Sequence, residues 1–256
     1  MGGGDLAGLL ALAGLAAYMQ TLTGFALGLI MMGGVGLTGL MPLPQAAILV
    51  GCMVLVNAAQ VLARGWRDIA WSAFWPAIIA SIAALAAGYW LLGAMVSASI
   101  DWLRLVLGVV IIVSSIQLAL KPEPLRDRSS TGSFVFFGAV AGLMGGLFST
   151  AGPPLVYHLY RQPLPAVSIR ETLVAIFAVN AVIRLAMVTA AGDIPQAGFW
   201  WSLFCIPAVI AFTFIAKRWP PLSALSIRRI AFGLLLLSGL SLAIPALLNI
   251  IGDHAS

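Results

Sequence analysis

Apolar runs of about 20 residues recur along the whole chain, and this recurrence limits what the chain can fold into. Each run is long enough to cross the hydrocarbon layer of a bilayer as an α-helix. The chain is 62% hydrophobic and only 8% charged, whereas roughly a quarter of the residues are charged in a soluble domain. We therefore predict an all-α integral membrane protein of about eight to ten helices.

Residues 142–160 are apolar at both ends but cannot continue as one helix. Pro153 and Pro154 lack a backbone N–H, and Gly152 tolerates the dihedrals of a break. We expect one helix to end here and a second to begin at Pro153, with its free N–H groups directed back toward Ser149. Such a helix terminus attracts anions. The alternative is a proline kink that only shapes packing.

The second half of the chain repeats landmarks of the first half in the same order. The matched features, first half before second, are 21–24 and 150–154, Leu43-Pro44 and Leu164-Pro165, Asn57 and Asn180, and Asp68 and Asp193. An ordered series of this kind indicates an internal duplication. We predict a first transmembrane repeat at 5–120, a cytoplasmic linker at 121–132 and a second transmembrane repeat at 133–251. Each repeat opens with a broken helix or helical hairpin.

The basic residues predict how the two repeats are oriented. If the linker is cytoplasmic and 133–160 is a hairpin that returns to the same side, most Lys and Arg residues lie in the cytoplasm, as the positive-inside rule requires. Asp68 and Asp193 then lie on opposite faces, so the two repeats have inverted topology. The predicted location is the bacterial inner membrane, with multiple crossings and both termini periplasmic.

An inverted pair of breaks brings two half-helix ends together near the bilayer midplane. Hydroxyls, amides and backbone N–H groups there can replace the water around an oxyanion without binding it too tightly for release. The alternative is that these Ser and Thr hydroxyls bond to carbonyls of their own helices. The predicted substrate-binding residues at the breaks are Gln20, Thr21, Thr23, Gly24, Ser149, Thr150, Ala151, Gly152 and Pro153.

Three further polar residues lie within apolar spans, where they are costly unless they face the bundle interior. Asn57 and Asn180 occupy matching points of the two halves and either line the pocket or bond helices together. Arg184 lies well inside a span and is predicted to be a countercharge for an anionic substrate. Its alternatives are to extend to the outer interface or to pair with an acid such as Asp193. All three complete the predicted substrate site.

Other reactive side chains suggest little chemistry. His158 is a candidate proton relay because imidazole titrates near neutral pH, although a lone histidine is more often a packing residue. Arg170 and Glu171 are expected to form an exposed surface pair. Cys52 and Cys205 lie in apolar segments and are expected to pack there, without a disulfide. No metal site, cofactor, nucleic-acid partner or enzymatic motif is predicted.

The segment 146–157, G-L-F-S-T-A-G-P-P-L-V-Y, together with Thr23-Gly24-Phe25-Ala26-Leu27 and the two-half layout, resembles the sulfite exporter TauE/SafE family of membrane permeases. The resemblance covers nearly the whole chain. It implies a secondary transporter that works by alternating access, most often an exporter, for sulfite, a sulfonate such as sulfoacetate, or a related small anion. A transporter or channel for another small anion, such as a carboxylate, is the alternative. The implied partners are the anionic substrate and the lipid bilayer, and a homodimer is left open.

Overall fold

The computed structural model describes residues 3–119, 124–150, 153–193, 195, 197–219 and 224–255, and the regular structure in these residues is helical. The first half contains α1 (Gly3–Thr23), α2 (Ala26–Thr38), α3 (Leu43–Gly65), α4 (Trp71–Ala98) and α5 (Ile100–Ala119). The second half contains α6 (Thr131–Phe148), α7 (Pro153–Tyr160), α8 (Ala166–Ala191), α9 (Cys205–Arg218) and α10 (Ala224–Ala255). Short 3₁₀-helices, Trp66–Asp68 and Ala197–Phe204, precede α4 and α9.

Six helical segments of the described chain are long and apolar enough to cross a membrane. They are Gly4–Thr23, Leu43–Asp68, Trp71–Ser97, Thr131–Phe148, Ala166–Ala191 and Phe199–Arg218. The prediction of an all-α integral membrane protein is therefore confirmed. The helices α2 and α7 have 13 and 8 residues and are too short to cross alone.

Both predicted helix breaks are present. Gly24 separates α1 from α2 with φ +82°, and Ser149 ends α6 with φ +53°. A left-handed residue ends a helix, and glycine adopts this conformation without strain, whereas serine does not. The helix α7 begins at Pro153, as predicted. The predicted site residues Ala151 and Gly152 lie outside the described residues.

Proline precedes the helix that follows each pair of helices separated by a break, namely α3 after α1 and α2, and α8 after α6 and α7. The N-cap of α3 is Pro42, with φ −59° and ψ 138°, and the N-cap of α8 is Pro165, with φ −58° and ψ 140°. The sequence alignment that paired Pro165 with Pro44 is therefore wrong by two residues. Pro44 lies in the first turn of α3, where a missing N–H leaves no helical hydrogen bond unmade.

The two halves interlock through paired helices rather than packing as separate units. The helix pairs with the most extensive contacts are α4 with α6, α5 with α10, α1 with α9, and α3 with α8. Every one of these pairs joins a helix of the first half to a helix of the second. The polar residues of both breaks therefore face a core built by both halves.

A glycine at every fourth position lets α6 lie directly on α4. A Cβ added to these glycines would lie 2.0–2.3 Å from a carbonyl oxygen of α4, closer than atoms can approach. The facing pairs are Gly138 with Ala77, Gly142 with Ser81, and Gly146 with Leu85. Small residues are the usual means of close helix packing in membranes, where lipid is as apolar as a leucine side chain. This contact fixes the end of α6, where the second break begins.

Candidate functional site

The second break holds a buried arginine. Arg184 of α8 is 2% exposed, and its Nε donates a hydrogen bond to the carbonyl oxygen of Gly146 at 3.0 Å. Gly146 lies in the last turn of α6, whose carbonyls have no partner within the helix. The end of α6 therefore supplies the acceptor that orients the guanidinium. This burial excludes the alternative in which Arg184 extends to the membrane surface.

Polar atoms of this arginine and of the second break are buried without a hydrogen-bond partner among the described residues. They are Nη1 of Arg184, Oγ of Ser149 and Oγ1 of Thr150. Leaving a buried donor unpaired costs about 1–3 kcal/mol, and more when the group is charged. An anion bound here would accept hydrogen bonds from the guanidinium and the hydroxyls and remove that cost. The arrangement is therefore suited to a negatively charged ligand.

Two cavities meet at Arg184. The inner cavity has a volume of about 10 Å³ and is lined by Gly145, Ser149, Phe177, Asn180, Ala181 and Arg184. A volume of roughly 10–15 Å³ holds one water molecule, so this cavity must widen to admit an oxyanion. The outer cavity has a volume of about 860 Å³. Arg184 lines both, so its guanidinium is shared by the outer and the inner cavity.

An aromatic side chain of α4, Tyr89, and an acidic side chain just beyond the end of α8, Asp193, also line the outer cavity. The guanidinium carbon of Arg184 lies 5.9 Å from the ring centroid of Tyr89, within the range of a cation–π contact. The hydroxyl of Tyr89 donates to Asp193. The ion pair between Arg184 and Asp193 that was considered as an alternative is not found among the ion pairs of the described residues. The charge of Arg184 therefore stays available for a ligand.

Most of the polar side chains at the first break form hydrogen bonds within that break. The hydroxyls of Thr21 and Thr23 donate to carbonyl oxygens four residues earlier in α1, at 2.8 and 2.7 Å. The alternative in which these hydroxyls bond to their own helix therefore holds in the first half. Gln20 bridges the break, because its Oε1 accepts a hydrogen bond from the backbone N–H of Leu27 at 3.0 Å. The Nε2 of Gln20 has no partner among the described residues.

The two buried asparagines join helices of opposite halves. Nδ2 of Asn57 donates to Oγ1 of Thr21 at 2.9 Å and to Oγ1 of Thr213 at 2.8 Å. Nδ2 of Asn180 donates to Oγ of Ser81 at 2.8 Å, and Oδ1 of Asn180 accepts a hydrogen bond from the same hydroxyl at 3.1 Å. Asn180 also lines the inner cavity. Both asparagines therefore bond helices together, and Asn180 contributes to the cavity as well.

The two breaks touch each other. Gly28, in the first turn of α2, packs against Thr150, and a Cβ at Gly28 would lie 2.8 Å from the Cβ of Thr150. The structure thus brings the helix that follows the first break against Thr150, a predicted residue of the second break. Arg184 and the unpartnered hydroxyls lie on the side of the second break, so the two halves contribute unequally.

His158 lies in an aromatic cluster at the opposite end of α6. Its ring stacks on Phe137, with centroids 4.4 Å apart, and its edge meets Phe134. Its Nε2 is 3.2 Å from Oγ of Ser133. These are packing contacts, and the residues that line the cavities at Arg184 do not include His158. The proton relay stays a prediction.

The sequence profile of the sulfite exporter TauE/SafE family matches residues 9–242. The chain belongs to the TauE/SafE family. A Cupriavidus necator protein named probable sulfite/organosulfonate exporter TauE is 37% identical to this TauE/SafE chain over 243 residues, which cover 94% of this chain and 95% of the relative. No solved structure matches the chain. TauE/SafE proteins are membrane exporters and not enzymes, so this chain is a multi-pass membrane transporter of a small anion.

Sequence reasoning missed several polar residues of this TauE/SafE protein. Ser81 and Thr213, the partners of the two asparagines, were identifiable as hydroxyls inside apolar runs. Tyr89 was likewise a polar group within a span. The expectation that Arg170 and Glu171 form an exposed pair is wrong, because Glu171 is only 2% exposed. Its burial follows from a contact with another helix, which no local pattern in the sequence indicates.

Proposed function

We propose that this TauE/SafE protein is a secondary transporter that exports a small sulfur-containing anion, such as sulfite or an organosulfonate of the sulfoacetate type. The observation that carries the proposal is the buried guanidinium of Arg184, which lines one cavity with Ser149. Nη1 of Arg184 and Oγ of Ser149 both lack a hydrogen-bond partner among the described residues. Sulfite and sulfonate groups present several oxygens that can accept hydrogen bonds from a guanidinium and a hydroxyl together. The name of the Cupriavidus necator relative supports this class of substrate.

The composition of the site suits release as well as binding. One positive charge, Arg184, is combined with neutral groups that line the same inner cavity, namely the hydroxyl of Ser149 and the amide of Asn180. Neutral donors can replace the hydration of an anion without fixing a full charge. A transporter needs this balance because the substrate must leave on the other side of the membrane.

We further propose that the two halves are inverted repeats that alternate in access to the site. The packing supports this, because exchanging α1–α5 with α6–α10 turns the pair α4–α6 into α9–α1 and the pair α4–α8 into α9–α3, all of which are in contact. The pairs α5–α10 and α3–α8 are unchanged by the same exchange. The inner-membrane location, the periplasmic termini and a homodimer stay predictions.

A panel of anions tests the proposal. Purified protein is heated in detergent with sulfite, sulfoacetate, thiosulfate or acetate, and the melting temperature is measured. A ligand that binds the folded state stabilises it by about 2.7 kcal/mol at a concentration of 100 Kd. We expect the sulfur anions to raise the melting temperature and acetate to have a smaller effect. A rise with acetate alone would favour the carboxylate transporter, and no rise with any sulfur anion would contradict the proposal.

A further inference from the structure

The break of the first half is covered on one side by the end of α7 and the start of α8. The hydroxyl of Tyr160 donates to the carbonyl oxygen of Thr23 at 2.8 Å. Arg170 lies over Gly24 so closely that a Cβ at Gly24 would be 3.2 Å from the Cγ of Arg170 and 3.3 Å from its Cα. These contacts come from the second half of the chain. Access to Gly24 from this side therefore requires both the side chain and the backbone of Arg170 to move.

Arg170 is held in place by a buried carboxylate. Its Nη2 and Nε donate to Oε1 of Glu171 at 2.8 and 3.2 Å. Oε2 of Glu171 is buried without a hydrogen-bond partner in the described structure and lies against Gly65, where a Cβ would be 2.4 Å away. A guanidinium has five N–H donors, and the side chain of Arg170 is 33% exposed. Arg170 therefore has remaining donors with which an incoming anion can make its first contact.

Other cations surround this pair. Lys217 of α9 donates a hydrogen bond to the carbonyl oxygen of Gln60, one turn before Arg64 in α3. Lys217 also interacts electrostatically with Arg64, Arg170 and Glu171. Three cations and one carboxylate therefore lie near one another at this end of the protein. A site with an excess of one sign of charge raises the local concentration of ions of the opposite sign. We call this side of the protein, defined by Arg64, Arg170 and Lys217, the basic face.

At the opposite end of the protein, where α3 begins, a cavity is present. The first turn of α3, which corresponds in chain order to the first turn of α8, lines the outer cavity through Pro44, Gln45 and Ile48. That cavity extends from this end of α3 to Arg184. The anion site is thus reachable from the α3 side, whereas the first break is closed on the basic face by Tyr160 and Arg170. One end of the protein therefore gives access to its polar site, whereas the other end is closed.

We infer that Arg170 and Glu171 form the gate on the basic face, and that an anionic substrate opens this gate by replacing Glu171 as the partner of Arg170. The inference rests on the proposed function, because it takes the transported anion as the ligand. When the anion accepts the hydrogen bonds of Arg170, the Cγ of Arg170 is drawn off Gly24. The start of α8, whose backbone also lies against Gly24, then moves away, and the first break becomes reachable from the basic face. By the positive-inside rule this face is cytoplasmic, the side from which an exporter takes its substrate.

Labelling of a reporter cysteine tests the gate directly. The parent protein carries Thr23→Cys in a background in which Cys52 and Cys205 are replaced by Ala. A membrane-impermeant methanethiosulfonate reagent is applied to vesicles that expose the basic face. Glu171→Gln removes a charged hydrogen-bond acceptor, a change expected to raise the labelling rate about tenfold without any ligand. Asp127→Asn, which makes the same charge change on the exposed linker, should leave the rate unchanged.

Sulfoacetate is the ligand probe, since it does not react with the labelling reagent. We expect sulfoacetate to raise the labelling rate of the parent protein and to have no effect once Arg170→Gln has removed the residue it would bind. Tyr160→Phe removes only the hydrogen bond to the carbonyl of Thr23 and should also raise the rate. This variant keeps the test valid if Glu171→Gln does not fold.

The outcomes separate the gate from the proposed function. If Glu171→Gln and Tyr160→Phe label at the parental rate, or if Asp127→Asn raises the rate equally, the gate is overturned whether or not the protein transports anions. If labelling rises in both variants but no sulfur anion is transported by vesicles containing the parent protein, the proposed function is overturned, and with it the role of the anion in opening the gate. Faster labelling with sulfoacetate, lost in Arg170→Gln, supports the whole inference.

Discussion

The Nε of Arg184 donates a hydrogen bond to the main-chain carbonyl oxygen of Gly146 at 3.0 Å. That carbonyl is available because α6 ends two residues later, at Phe148. The interrupted helix therefore does more than expose N–H groups to an anion. Its carboxyl-terminal end positions the cation that we propose binds the substrate.

Replacing Arg184 by lysine tests this geometry. Arg184→Lys retains the positive charge but loses the planar fork, so one ammonium cannot bond to Gly146 and present a second donor group in a fixed direction. We expect the Kd for sulfoacetate to rise about tenfold to a hundredfold, which corresponds to about 1.5–3 kcal/mol for a hydrogen bond to a charged group. Isothermal titration calorimetry measures the change. The exposed Arg104→Lys is the control, and equal affinities of both variants would contradict the prediction.

Alanine substitutions at two neighbouring glycines of α6, Gly142 and Gly145, should have different effects. One should lower the stability of the protein, and the other should weaken anion binding. A Cβ at Gly142 would lie 2.0 Å from the carbonyl oxygen of Ser81, whereas the nearest atom to a Cβ at Gly145 is 3.8 Å away. We expect Gly142→Ala to destabilise the protein by about 1–3 kcal/mol through overpacking. Gly145→Ala should keep the melting temperature but weaken anion binding, because it adds a methyl group to the wall of the inner cavity. Thermal unfolding with and without sulfite checks both, and a normal melting temperature for Gly142→Ala would contradict the packing.

Replacing Asn57 should mainly affect stability, whereas replacing Asn180 should affect both stability and anion binding. Asn57→Ala leaves the hydroxyls of Thr21 and Thr213 without their donor and should cost about 1–3 kcal/mol of stability, with a small effect on the Kd for the anion. Asn180→Ala should lower stability and also raise that Kd, because Asn180 lines the inner cavity. Thermal unfolding and calorimetry on both variants provide the comparison. A larger loss of affinity in Asn57→Ala than in Asn180→Ala would reverse the assignment.

Cysteine labelling tests the inverted repeats. Asp68 and Asp193 are both exposed and follow corresponding helices of the two halves. We expect Asp68→Cys to react only with reagent on the cytoplasmic side and Asp193→Cys only with reagent on the periplasmic side. Membrane-impermeant maleimide, applied separately to spheroplasts and to inverted vesicles, measures this. Labelling of both cysteines from the same side would show that the repeats run in parallel.

Much of the helical arrangement could be predicted because its signals are local. The length of an apolar run predicts a span, and the prolines at 153 and 154 interrupt a helix whatever packs around them. The predicted break therefore agrees with the observed start of α7. Matching Pro165 with Pro44 instead of Pro42 is also an error of local origin. Pro42 and Pro44 are only two residues apart, and both are compatible with the start of a helix.

Contacts between distant segments could not be predicted in this way. The hydrogen bond from Asn57 to Thr213 joins residues 156 positions apart, and the repeat identified the asparagine but not its partner. The burial of Glu171 depends on Gly65 in α3, where the absence of a side chain leaves room for the carboxylate. A charged residue near the start of a helix is ordinarily exposed, so only the tertiary structure indicates that Glu171 is buried.

The most direct test of the account is uptake of labelled sulfoacetate into proteoliposomes containing the wild-type protein, Arg184→Gln or Arg104→Gln. We predict saturable uptake by the wild type and by Arg104→Gln, and a loss of at least about tenfold in uptake at low substrate for Arg184→Gln, since the charged hydrogen bond to the anion is removed. Wild-type uptake by a correctly folded Arg184→Gln would contradict the claim that this buried arginine binds the transported anion.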